Sequence, residues 1–119
     1  MMESKYLDLE NRTKDYSLSV RDFCYQCNKD IINIEYIRQL IRSAGSVGAN
    51  YIEANDSLGG KDKMMKIRIS KKEAKESAYW LSHISTYDDS NLENRKTILT
   101  TEANELVLIM AAILRKLQD

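Results

Sequence analysis

Several groups of residues in this chain have types and spacings that could do chemistry. Cys24 and Cys27, the only cysteines, form a C-x-x-C pair, a spacing shared by zinc sites and redox dithiols. Asn50 and Glu53 stand three apart, and Glu73 and Glu76 repeat that spacing, so each pair shares a helical face. Paired carboxylates on facing helices are what a di-iron bundle uses. Residues 61 to 75, "KDKMMKIRISKKEAK", concentrate cations that could meet phosphate. Between these groups lies "SVGANYIEAN", residues 46 to 55, with Gly45 just before it and Gly48 inside it.

Each chemistry makes demands the rest of the chain must meet. A structural zinc needs four ligands, and the single histidine, His83, is far from the cysteines in sequence. A redox pair needs a thioredoxin-like strand before it, and none is visible. On a helix the two cysteines share a face with Val20 and Phe23, which reads as buried structural thiols. The di-iron site needs two Glu-x-x-His motifs, but the residue three before His83 is Trp80. The sequence therefore implies no metal, no cofactor and no catalytic residue. Asn50, Glu53, Glu73 and Glu76 are expected to hydrogen-bond across helices or pair with Arg42 or Arg12, setting register.

The glycines ask a structural question. Each costs a helix about 1 kcal/mol relative to alanine. Ser43 to Ala49 hold six small residues, with Ala44 and Gly48 four apart, as are Gly45 and Ala49. Small residues one turn apart let a neighbouring helix come close, which offsets the propensity cost. A phosphate notch is the alternative, but such sites favour a helix N-terminus and this one is mid-helix.

The basic stretch carries Lys61, Lys63, Lys66, Arg68, Lys71, Lys72 and Lys75 against two acids, a net of +5, so the remainder carries −5. Lys61, Arg68, Lys72 and Lys75 fall near one face. That face reads either as solvated, with lysine stems covering apolar surface, or as a nucleic-acid contact. The net charge of the whole chain is +0, whereas dedicated nucleic-acid binders are usually basic. Five copies in a ring would pool about +25 into a belt that attracts polyanions at low salt.

The elements that hold these residues are helices. The chain has 119 residues, the length of one domain (1–119), with no proline and 4 glycines, so few breakers interrupt it. Hydropathy periodicity predicts a first helix over about Lys5–Lys29, with Leu9, Tyr16, Val20, Phe23, Cys24 and Cys27 inward. "KDIIN", residues 29 to 33, reads as a connector. The second helix is predicted over Ile34–Leu58 with Asn33 as N-cap, and Ile37, Leu40, Ile41, Ala44, Val47, Gly48, Tyr51 and Ile52 as one stripe. Gly59-Gly60 reads as its left-handed C-terminal stop. The third is predicted over Asp62–Thr86, with Trp80 flanking its stripe. "YDDSNLEN" is the next break, with Ser90 and Glu93 as a capping box. The fourth runs to about Gln118, with Ile98, Leu106, Ile109, Met110, Ile113 and Leu117 inward. Helices of about 24 residues are about 36 Å long, and short connectors make neighbours antiparallel. The predicted fold is all-α, an up-down antiparallel four-helix bundle. The charged N-terminus is no signal peptide, and the longest apolar run, residues 106 to 114, is short of the roughly 18 residues of a membrane span. A cytoplasmic protein without a membrane partner is expected.

Two blocks are similar to the four-helix proteins called 23S rRNA intervening-sequence proteins. "RQLIRSAGSVGANYIEAN", residues 38 to 55, resembles one family signature and "KIRISKKEAKESAYWL", residues 66 to 81, another. "LENRTKDYSL", residues 9 to 18, resembles the usual opening of the first helix. The resemblance implies a left-handed antiparallel bundle, a homopentamer and no known catalytic activity. Arg42, Ser43, Gly48, Ala49, Asn50, Glu53, Glu73, Glu76 and Trp80 match the family pattern. They are expected, with Gly45, to serve helix packing or a subunit interface. A more distant resemblance is to the accessory proteins of diversity-generating retroelements, which bind nucleic acid and a reverse transcriptase through a basic surface. This chain departs from them in its neutral charge balance.

Overall fold

Four helices follow one another: α1 (Met2–Gln26), α2 (Ile31–Asn55), α3 (Gly60–Leu81) and α4 (Ser90–Gln118). The computed structural model describes residues 2–118, and side chains from Asp8 onward. Short turns make sequential helices antiparallel, and the result is an up-down bundle. Its extents are 46 × 25 × 19 Å. The long dimension matches α4, since helices rise about 1.5 Å per residue.

The core is one apolar side of each helix brought together. Val20 and Phe23 from α1, Leu40 and Val47 from α2, Ile67 and Leu81 from α3, and Leu106 and Met110 from α4 are all fully buried. Cys24 and Cys27 lie in the cluster with Val20, Phe23, Leu40 and Leu106, while Ile67 and Met110 pack with Tyr51 in a second cluster. The α2–α3 contact is the most extensive and the α1–α4 contact the slightest. A groove lined by Asp15, Ser19, Ile98 and Glu102 runs along the latter. By length and composition α4 is apolar enough to cross a membrane. In the bundle, its Leu99, Ala103, Leu106, Met110 and Leu114 are buried.

The helix ends differ from the sequence-based expectations for local physical reasons. α1 stops at Gln26, where Lys29 folds back and donates to the carbonyls of Tyr25 (2.8 Å) and Cys27 (3.0 Å). α2 begins at Ile31, inside the expected connector, because Asp30 is the N-cap and accepts from the backbone N–H of Ile32 and Asn33. Asn33 is not the cap. It is buried and joins two turns, donating to the carbonyls of Asn28 (2.9 Å) and Ser85 (3.0 Å) and accepting from the Ser85 N–H (3.0 Å). α2 ends at Asn55 with Asp56 as C-cap, and no glycine has a positive φ, so Gly59-Gly60 is no left-handed stop. Gly59 is instead the extended N-cap of α3, with no side chain to cap it. α3 ends at Leu81, although Ile84 and Thr86 beyond it remain buried.

Among the described residues the left-handed ones are Tyr87 and Asp88, with φ of 54° and 62°. They turn the chain sharply into α4. Asp89, not Ser90, caps α4, accepting from Leu92 N–H at 3.0 Å, and the Glu93 carboxylate accepts from Thr86 instead of closing a capping box. The Tyr87 hydroxyl donates to Asp30, which ties the α3–α4 turn to the start of α2. That bond holds the Asp30 carboxyl below its ordinary range and the Tyr87 phenol above its own. Ile41, Ile52 and Ile98, expected inward, are 47%, 45% and 59% exposed. They flank the buried stripes and do not belong to them.

Candidate functional site

The stretch "RSAGSVGAN" lies on α2 between α1 and α3. Gly48 is buried, and a Cβ there would stand 2.8 Å from Thr13 Oγ1 and 3.2 Å from Thr13 Cβ. A side chain there would force Thr13 to shift, so glycine lets the α2 backbone lie directly against Thr13 of α1. Thr13 is held in turn, fully buried and donating to the Glu10 carbonyl at 3.0 Å. Gly45 differs: a Cβ there would meet only Ser17 Oγ, at an ordinary 3.8 Å. Ala49 is exposed. Ser43 is buried and bonds carbonyls of its own helix, as the Asn50 amide does to Ser46 at 2.8 Å. Asn50 therefore makes no inter-helix bond.

Polar register between α2 and α3 comes from other members of the set. Arg42 reaches Glu73 at 3.1 Å and Glu76 at 3.2 Å. Glu73 is only 6% exposed, and Arg42 is the ion-pair partner of its carboxylate. Ser70 donates to the Val47 carbonyl at 2.7 Å, and Lys66 pairs with Glu53 at 3.5 Å. Arg12 does not join this set. It lies across the α1–α4 groove against Glu102 (2.7 Å) and Glu105 (2.5 Å), and the Glu102 hydrogen bond raises its guanidinium pKa.

The remaining candidate chemistry is closed off by burial. Cys24 and Cys27 are free and buried, and desolvation pushes Cys24 up to about 12 and Cys27 upward as well. They are thiols, not thiolates, at neutral pH, which removes the nucleophile a redox pair requires. Tyr16 is pushed up to about 12, again mainly by burial, and donates to Ser77 at 2.7 Å while Ser77 donates to Ala74. No group of three or more His, Cys, Asp and Glu side chains among the described residues could hold a metal ion.

The basic stretch occupies the outside of α3. Lys61, Arg68, Lys72 and Lys75 are exposed, and Lys71 is half-buried. Lys66 is the Glu53 partner, and Lys63, half-buried, also engages neighbouring groups. A groove between α3 and α4 gathers Arg68, Lys71, Lys72 and Lys75 with Arg115. Among the described residues the carboxylate lining it is Glu76, which Arg42 also contacts. Arg115 could not be found from the basic stretch alone, because it sits in the last turn of α4. Trp80 is half-buried and belongs to a surface cluster of rings. Its centroid is 6.0 Å from Tyr36, 5.0 Å from Tyr79 and 5.4 Å from His83.

Comparison with known proteins places this geometry. The chain is similar in fold to the crystal structure of a protein of unknown function from the S23 ribosomal protein family of Bacteroides thetaiotaomicron. The TM-score is 0.74 and the identity 22%, over 88% of this chain and 96% of that one. No curated protein matches the chain. Residues 5–112 match the family described as 23S rRNA-intervening sequence protein, and the chain belongs to that family.

Proposed function

We propose that this member of the family is a non-enzymatic interaction protein that assembles as a homopentamer in the cytoplasm. The observation that carries the assembly is the apolar surface the bundle leaves unused. Ile41 and Ile52 on α2 and Ile98 and Leu108 on α4 (69% exposed) lie in long helices whose core sides are already filled. Exposed apolar groups in numbers favour a protein partner, and the slight α1–α4 contact leaves Ile98 beside an open groove. Gel filtration with light scattering tests the reading. A mass near five times 13.8 kDa is expected, and a monomer at micromolar concentration removes it.

A second reading is favoured by the cationic α3–α4 groove: the assembly is an RNA-binding accessory protein. Lys61, Lys63, Lys66, Arg68, Lys71, Lys72 and Lys75 supply the charge, and Arg115 extends it across the groove. Binding by such a surface releases counterions and falls steeply with salt. Fluorescence anisotropy with labelled RNA should show affinity at 50 mM salt that collapses by 200 mM. Absence of binding at 50 mM removes this reading and leaves the assembly intact.

A further inference from the structure

The basic face of α3 runs into exposed aromatic surface. Lys61, Arg68, Lys72, Lys75 and Tyr79 share one helical face and all are exposed, the last four in steps of three and four, with the exposed Met65 standing between Lys61 and Arg68. Lys61 and Tyr79 are five helical turns apart, about 27 Å. Tyr25, Tyr79 and Tyr87 are all more than half exposed, and Tyr79, at 56%, is the one that lies on α3 in line with the cations. Its back is braced: the Trp80 centroid lies at 5.0 Å with the planes 74° apart, and the His83 centroid at 4.4 Å. His83 is fixed in turn by donating Nδ1–H to the Tyr79 carbonyl at 2.8 Å and by an edge contact with Tyr36 at 5.1 Å. The Tyr79 ring is therefore packed against Trp80 and His83 and still more than half exposed, at the end of the cationic face.

We propose that this face binds single-stranded nucleic acid, the phosphates tracking Lys61, Arg68, Lys72 and Lys75 while an unpaired base stacks on Tyr79. The proposal rests on the nucleic-acid reading above and adds the strandedness of the ligand. A cation track alone binds duplex and single strand alike through their phosphates. A platform that offers a flat ring adds something only an unstacked base can use, and it does so without regard to sequence. The length of the track suits the short sites, roughly 4–16 nucleotides, of single-strand binders.

Trp80 is the only tryptophan, so its fluorescence reports on this cluster alone. The probes are a ten-nucleotide adenine RNA, the DNA strand of the same sequence, a ten-base-pair RNA duplex and inorganic polyphosphate, all at 50 mM salt. The single strands should bind more tightly than the duplex and quench Trp80. Stacking energies of the size usual for one base correspond to a loss of about five- to hundredfold on Tyr79→Ala. That loss should appear on the strands and not on the duplex or polyphosphate, with Tyr79→Phe close to the parent. The more tightly bound strand identifies the natural ligand as RNA or DNA. Tyr79 is not itself a core residue, and because it packs against Trp80 the Tyr79→Phe variant, which keeps the ring, controls for loss of that contact. If Tyr79→Ala binds strands as the parent does while Lys72→Glu with Lys75→Glu abolishes binding, the stacking proposal is overturned and the basic-groove reading stands. If no probe binds the parent, both fall.

Discussion

α2 meets α1 and α3 through the same short stretch of sequence, by opposite means. Toward α1 it presents an absence: Gly48 gives up its side chain so that Thr13 can rest on the backbone. Toward α3 it presents charge: Arg42 reaches out to a buried Glu73 and a half-exposed Glu76. The first contact depends on volume and tolerates almost no change. The second depends on satisfying one carboxylate, and its outer members have water as an alternative partner. Gly48 and Arg42, close in sequence, thus serve different neighbours, while Asn55 at the end of α2 adds a polar bond to Glu10 of α1 at 3.1 Å.

This contrast makes a ranked set of expectations. Gly48→Leu should cost most, about 3 kcal/mol, because overpacking a filled seam forces the helices apart. Urea denaturation of the variant measures it, and unchanged stability would mean that the α1 seam is loose. Arg42→Ala should cost about 1–2 kcal/mol, since it strands the Glu73 carboxylate with its polar partner removed. Much of that loss should return in the double variant with Glu73→Gln, which removes the charge. A recovery as large for Glu76→Gln would place the dependence on the wrong carboxylate. Glu53→Ala should cost about 0.5 kcal/mol or less, because its pairing with Lys66 at 3.5 Å is at the surface. A larger loss would show that the α3 side is as exacting as the α1 side and would erase the contrast.

The helical architecture was legible because apolar residues recur at helical spacing and nothing breaks them. Tyr16, Val20, Phe23, Leu40 and Leu106 are buried as their spacing predicts. What local rules could not supply was the identity of the caps. Asn33 looks like an N-cap, yet its amide is committed to Ser85, which is distant in sequence, and Asp30 takes over the cap. Gly59 looks like a stop and serves as a start, because helix signals read from one strand of sequence do not say on which side of a glycine the chain is helical. Ile41, Ile52 and Ile98 fit the periodicity but sit at the margin of the stripe, where a few tens of degrees decide between core and water. The candidate surfaces were half legible. The cations of α3 are contiguous in sequence, whereas Arg115 and Tyr36 come to them only through the packing of other helices.

The Asn33 clamp gives the bundle a polarity along its long axis. At one end, two turns are joined through a single buried amide and by Tyr87 to Asp30. At the other, the α2–α3 turn has Gly59 without a capping side chain and Leu58 fully in water. Side-chain bonds from turn to turn therefore tie one end, whereas the other relies on the packing of α2 against α3. The bundle is fastened by a clasp at one end, where Asn33, Asp30 and Tyr87 bind the α1–α2 turn to the α3–α4 turn.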